Sequence, residues 1–257
     1  MGAPIKLISG KKAQRLDPGL NNSVRSAAWC AKDGFTSAYL TGQAFRRALT
    51  QENSAVMEYS KVKGIENDKN NFKIFLENNE YITAKRIVLA GGVWLEEMLS
   101  WLNVKIPIKC LINQLIITER MPTIMKTVLS IANGLLSLKQ FDNGTILIGG
   151  GWQGLGDKER GGVEAIPENL RGNIRLACHA IPELRSGRMV RVWLGLEAET
   201  ADALPIIGNV PGISNAYVIG SAHSGYTSGP YMGWLLSQFI MGQETDMPLF
   251  EPSRLIN

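Results

Sequence analysis

Apolar and polar positions change their period several times along the chain, and each change marks an element. After the turn residues Asp33-Gly34-Phe35, the apolar positions Leu40, Ala44, Phe45, Ala48 and Leu49 recur at helical spacing. Ala55 to Ile65 alternates as a strand does. Phe72 to Leu76 and Tyr81 to Thr83 flank Asn78-Asn79, the arrangement of a hairpin. Arg86-Ile87-Val88-Leu89-Ala90-Gly91-Gly92 reads as a buried strand running into a double glycine, and Trp94 to Leu102 follows as a helix. Cys110 to Thr118 is a further strand, and Asp142-Asn143-Gly144 turns a second hairpin between Gly134–Gln140 and Thr145–Ile148. Ile166 to Leu184 predicts a helix ending near Pro182. Residues 1–28 are polar and broken by Gly and Pro, with room for a short helix over Ile8 to Leu16.

The densest pattern lies from Trp193 to Gly242. Leu204-Pro205-Ile206-Ile207-Gly208 is a short apolar run stopped by glycine, and Ala216-Tyr217-Val218-Ile219 is rich in strand formers. Gly220 to Gly229 is a Gly/Ser-rich loop that predicts a helix starting at Pro230 and stopped by Gly242. A strand, a glycine loop and a helix N-terminus aim backbone N–H groups and a partial positive charge at one spot, suited to an anion or an electron-rich ring edge.

Composition adds exclusions. Apolar residues make up 45% of the 257, enough for a packed core. The net charge of +4 is spread along the chain and gives no nucleic-acid footprint. No apolar run is long enough to span a bilayer, and the N-terminus lacks the apolar core of a secretion signal. Cys30, Cys110 and Cys178 are widely spaced and odd in number, which points to a reduced, cytoplasmic setting; with only His179 and His223 beside them, no metal site is expected. Gly149-Gly150-Gly151-Trp152-Gln153-Gly154 spells G-x-G-x-x-G, the sole pointer to a nicotinamide-dependent dehydrogenase. The charged, glycine-rich stretch after it, Leu155 to Gly162, is not a helix that could aim its dipole at phosphates, so a strand end and loop are expected instead.

Three ordered segments carry a resemblance: Trp193-Leu194-Gly195-Leu196, then Asp202-Ala203-Leu204-Pro205-Ile206-Ile207-Gly208, then Gly220-Ser221-Ala222-His223-Ser224-Gly225-Tyr226-Thr227-Ser228-Gly229-Pro230. The set resembles the C-terminal signature of the D-amino acid oxidase/glycine oxidase-like FAD-dependent oxidoreductases, and its His-Ser-Gly triplet is most similar to opine oxidase and hydrogen cyanide synthase subunits. Val88, Ala90, Gly92 and Trp94 fit the family's V-x-A-x-G-x-W element, which lies beside the dinucleotide there. The resemblance implies a mixed α/β fold in which a Rossmann-like FAD-binding domain (residues 29–102 and 191–257) interleaves with an antiparallel-sheet substrate domain (residues 1–28 and 103–190). It also implies FAD as cofactor and oxidation of the C–N bond of an amino acid, imino acid or related amine by hydride transfer to flavin. Cofactor contacts are expected from Val62, Ala90, Gly91, Gly92, Trp94, Gly195, Gly220, Ser221, Ala222, Ser224, Gly225 and Thr227, and catalytic groups from His223 and Tyr226.

Departures from the family pattern sharpen the expectations. The family's opening strand, G-x-G-x-x-G and helix are not supplied by residues 1–60. The FAD-binding domain is therefore expected to be incomplete and the protein a truncated form; the alternative is a non-catalytic subunit or remnant that assembles with a partner subunit. Where the family often shows Gly-Gln, this chain has Asn113-Gln114. Glycine oxidase-like members place an arginine immediately after W-x-G-L, a bidentate partner for a carboxylate; this chain has Glu197, which would favour a cationic amine. Glu197 and the upstream Arg191 are the expected substrate-binding residues, with Arg188 as a second upstream arginine.

Overall fold

The computed structural model describes residues 2–68, 71–132, 134–159, 162–220 and 223–256. In chain order the elements are β1 (Ile5–Ser9), α1 (Gly10–Leu16), β2 (Ser26–Cys30), α2 (Ala38–Gln51), β3 (Val62–Asp68), β4 (Asn71–Leu76), β5 (Tyr81–Ala84) and β6 (Ile87–Leu89). They continue with α3 (Leu95–Ser100), β7 (Lys109–Thr118), β8 (Leu129–Ser130), β9 (Ser137–Gln140), β10 (Ile146–Gly149), β11 (Leu155–Gly156) and β12 (Val163–Glu164). The last are α4 (Pro167–Ala180), β13 (Met189–Glu199), β14 (Ile206–Asn209), β15 (Ala216–Gly220) and α5 (Gly225–Ile240). The architecture is mixed α/β with mostly antiparallel sheets. Two compact units emerge, residues 1–55 with 112–195 and residues 56–111 with 196–257; the first takes in residues 29–55.

The first unit is built on a five-stranded sheet in the order β13-β7-β10-β9-β8. Alternation along β9 and β10 turns Leu138, Ile146 and Ile148 to one face, where they meet Ala177, Ala180 and Ile181 at the end of α4. Asn143-Gly144 makes the expected turn between β9 and β10, with Gly144 at φ +87°. The Gln140 carboxamide pins the neighbouring chain: Oε1 accepts from the N–H groups of Ile124 (2.9 Å) and Met125 (3.2 Å), and Nε2 donates to the Pro122 (2.9 Å) and Gly144 (3.2 Å) carbonyls. Asp17, 2% exposed, does the same for Lys126 and Thr127, its Oδ2 accepting both backbone N–H groups and the Thr127 hydroxyl.

In the second unit β3-β4-β5 form a three-stranded antiparallel sheet, turned through Asn78-Asn79 as predicted, with Asn79 in the left-handed region. A second sheet runs β14-β15-β6; β15 pairs antiparallel with β14 and parallel with β6. Phe72, Leu89, Leu95, Leu99, Ile106, Ile206 and Val218 fill the core between these elements. Met232, Leu235 and Leu236 anchor α5 on Ile207, so this helix is held by its second half.

Several expectations are corrected. Residues 1–30 contain an antiparallel pair, β1 with β2, around the expected short helix, which Ser9 caps by accepting from the Lys12 N–H at 3.4 Å. The alternating run from Ala55 becomes strand only at Val62, because nothing pairs with its first half and Val56, Met57 and Tyr59 stay exposed. The Gly149–Gly154 motif, by contrast, is as expected the end of β10, followed by an isolated bridge at Gln153. Helix α5 begins at Gly225, five residues before Pro230, which lies inside it. Among the described residues no helix is long and apolar enough to cross a membrane.

Candidate functional site

The second unit brings its two glycine hinges together. Strands β6 and β15 are parallel neighbours, with Ala216 opposite Ile87 and Val218 opposite Leu89, so both carboxyl ends emerge on one side of the sheet. Ala90-Gly91-Gly92 continues the first and Gly220 ends the second. In parallel α/β sheets this is the edge at which ligands bind. Gly92 has φ +57° with no atom within 4 Å of where a Cβ would stand, so its backbone faces open space. Gly220 has φ +146°, and a Cβ there would come within 2.9 Å of Leu95 Cδ1 on the helix that follows Gly92. The second hinge therefore closes directly onto the element launched by the first, and both favour glycine.

Helix α5 rises from the same edge. Ser221 and Ala222 lie outside the described residues. Ser224, the residue before the helix, sits in the left-handed region at φ 61° without a side-chain cap, an uncommon conformation for serine. Its backbone N–H donates to Glu197 Oε1 at 3.0 Å, and the same oxygen lies 3.2 Å from His223 Nδ1. The Glu197 side chain is 22% exposed and that of His223 61%, so a half-buried carboxylate holds an imidazole that reaches into solvent. Tyr226 and Thr227 lie exposed on the first turn of α5, where the Thr227 N–H donates to the Ser224 carbonyl at 3.0 Å. Gly225 opens the helix, whose N-terminus carries partial positive charge.

The other expected residues take varied places. Ala90 and Trp94 are exposed at the end of β6 and just beyond it. Val62 opens β3 at a register irregularity, opposite Leu76, with its side chain against the second unit's core. Gly195 and Arg191 lie on β13 in the first unit, Arg191 exposed. Arg188 exchanges backbone bonds with Glu119: its N–H donates to the Glu119 carboxylate at 3.0 Å and its carbonyl accepts the Glu119 N–H at 2.8 Å.

Asp202, which opens the D-x-x-P-x-I-G segment, is tied to Arg254, a residue that the sequence pattern did not single out. Arg254 grips the carboxylate with two nitrogens, Nε to Oδ2 at 2.8 Å and Nη2 to Oδ1 at 3.2 Å. It also donates to the carbonyls of Phe250, Glu251, Leu204 and Pro205. The Arg254 guanidinium, helped by Thr200 and the Leu204 N–H, holds the Asp202 carboxyl well below the usual carboxylate range against the opposing effect of partial burial. No periodicity links residues 52 positions apart; the only sequence hint was a basic side chain near the C-terminus.

Comparison with known proteins places this geometry. The profile described as "FAD dependent oxidoreductase" matches residues 1–239. The chain is 25% identical over 250 residues to a hydrogen cyanide synthase subunit of Pseudomonas aeruginosa, covering 95% of this chain and 58% of the relative. It is 26% identical over 242 residues to an opine oxidase subunit of Rhizobium meliloti, covering 92% and 61%. Among solved structures, L-proline dehydrogenase from P. horikoshii superposes with a TM-score of 0.90 at 24% identity, over 98% of this chain and 69% of that one. Glycine oxidase from Geobacillus kaustophilus gives 0.85 at 19% identity, over 100% and 68%. These likenesses establish the fold.

Proposed function

The chain belongs to the FAD-dependent oxidoreductase family, and from that premise we propose that it forms part of an enzyme oxidising the C–N bond of an amino acid, imino acid or related amine. It spans 58% and 61% of the length of two curated relatives, so the activity proposed is that of the complete protein or assembly to which these residues belong. The observation that carries the reading is the parallel pair β6–β15, whose carboxyl ends deliver two glycine hinges and the N-terminus of α5 to one edge. The open backbone at Gly92 fits the close approach of a flat, extended group, and the positive end of α5 fits the charge of a reduced ring. Ala90, Gly91, Gly92 and Trp94 from one hinge, with Gly220, Ser224, Gly225 and Thr227 from the other, would hold FAD; Val62 is a further proposed contact. When bound, FAD supplies the acceptor for a hydride leaving the carbon that bears the nitrogen.

The chain's own part is to bind and orient the amine and to manage its proton. An ammonium has no lone pair with which to expel a hydride, so one N–H proton must leave first. His223, exposed and with Nδ1 near Glu197, is the proposed acceptor through its other nitrogen; Tyr226, on the first turn of α5, is proposed beside the substrate. The test is to purify the chain with added FAD, desalt it, and record its visible spectrum before and after anaerobic addition of amino and imino acids. Retained flavin bands that bleach support the reading. A folded chain without retained flavin refutes catalysis by this chain alone.

A second reading, a subunit whose work is assembly with a partner, is favoured by the exposed apolar residues of α2, Leu40, Phe45 and Leu49. Two relatives named as subunits support it. Light scattering of the chain with and without co-expressed partners separates the two readings.

A further inference from the structure

We infer that Glu197 is a positioning residue that fixes the tautomer and direction of the His223 imidazole, rather than a direct contact for a cationic substrate. The inference rests on the functional reading of His223 given above. One oxygen of Glu197 faces two donors at once: the Ser224 N–H at 3.0 Å and His223 Nδ1 at 3.2 Å. A carboxylate is an acceptor only, so the ring nitrogen facing it must carry the hydrogen. In neutral His223 the proton is therefore on Nδ1, and Nε2 presents its lone pair away from Glu197. That nitrogen can take a proton from a substrate ammonium. The N–H bond of the substrate breaks, its electron pair stays on the substrate nitrogen, and a new N–H bond forms at Nε2. The imidazolium so formed keeps its Nδ1–H towards the Glu197 carboxylate.

The same contact sets the loop. His223 and Ser224 are consecutive, and Ser224 is held left-handed at φ 61°. By taking the Ser224 N–H, Glu197 fixes the backbone on the C-terminal side of the imidazole and so the line along which the ring points. Side chain and backbone therefore meet at a single carboxylate oxygen. Where an arginine at this position would bind a substrate carboxylate directly, Glu197 acts on the substrate only through its neighbour.

Histidine-selective 15N labelling of the full chain tests this, because only His179 and His223 would give signals. His179 lies exposed on α4 in the first unit, and His179→Gln assigns the spectrum. In mildly alkaline solution the His223 Nδ1 resonance should be of the protonated type and Nε2 of the unprotonated type. Glu197→Ala, which removes the acceptor that faces Nδ1, should let the proton move towards Nε2. Glu197→Asp, which keeps the charge on a shorter arm, should retain the Nδ1–H form. Wild type with hydrogen on Nε2, or the same spectrum in wild type and Glu197→Ala, overturns the inference. In the flavin-loaded active enzyme Glu197→Ala should lower kcat about 100-fold with KM within a few-fold; loss confined to KM would make Glu197 a substrate contact and overturn it too. The tautomer is read without flavin. An Nδ1–H imidazole in a chain that never binds flavin would refute catalysis by this chain alone and leave this pairing standing.

Discussion

Removing the Asp202 charge should loosen the end of the second unit by an amount that the contacts allow to be estimated. Arg254 gives two of its hydrogen bonds to Asp202 and four to the carbonyls of Phe250, Glu251, Leu204 and Pro205. Thr200 Oγ1 and the Leu204 N–H also donate to Asp202 Oδ1, at 2.8 and 3.1 Å. An exposed ion pair contributes about 0.2–1 kcal/mol and a hydrogen bond to a charge about 1.5–3 kcal/mol. The Asp202 side chain is 36% exposed and that of Arg254 25%, so solvent screens the pair without abolishing it. Asp202→Asn should therefore cost about 1–2 kcal/mol, and Arg254→Ala, which also frees four carbonyls, about 3 kcal/mol. The effect carries a pH signature. Arg254 lowers the folded-state value of Asp202, so the ionised carboxylate stabilises the fold. That contribution is complete above the unfolded value near pH 4 and is lost as pH falls towards the depressed folded value. Urea denaturation of wild type and Asp202→Asn at neutral pH and in increasing acid measures it. The gap between the two should be widest at neutral pH and narrow below about pH 4. Equal midpoints at neutral pH, or a gap that does not change with acid, would refute the assignment of Asp202 as the anchor of Arg254.

Three further substitutions probe other joints. Gly220→Ala forces an L side chain to φ +146° and towards Leu95, and should cost about 1–3 kcal/mol with loss of any flavin retention; an unchanged melting temperature would reject the close approach of the hinges. Asp17→Ala strands the Lys126 and Thr127 N–H groups and the Thr127 hydroxyl, and should cost about 3 kcal/mol by denaturant titration; a loss under about 1 kcal/mol would mean that water replaces the carboxylate. Gln140→Glu turns an amide that donates to the Pro122 and Gly144 carbonyls into an acceptor facing acceptors, and about 2 kcal/mol should be lost; neutrality there would argue against its role as a staple.

Local turn chemistry was readable where the residue itself decides the conformation. Asn79 and Gly144 take left-handed angles that few residues accept, and both hairpins fell where the dipeptides put them. The strand into Gly91-Gly92 and the strand into Gly220 were likewise legible, and the fold sets the two strands side by side. The β1–β2 pair was not, because Ile5 and Leu7 are 60% and 82% exposed and no buried face imposes an alternating pattern. Residues 55–61 misled in the opposite way: they alternate but find no neighbouring strand. The start of α5 was hidden by composition. Gly225 to Gly229 has poor helix propensity, yet Met232, Leu235 and Leu236 anchor the helix downstream and Glu197 fixes Ser224 upstream. The sequence marked both Glu197 and His223 as candidates, but their pairing across 26 positions is a product of the fold.

Helix α2 carries a last consequence. None of its 14 residues is buried, so its amides are protected by little beyond its own hydrogen bonds and the Ser37 cap on Leu40. An isolated helix of that length is marginal in water, because nucleation is costly. Amide deuteration should therefore sweep through Ala38–Gln51 well before it reaches β7 or β10, and a protease should nick there first. A partner that covers Leu40, Phe45 and Leu49 should slow that exchange across the whole helix.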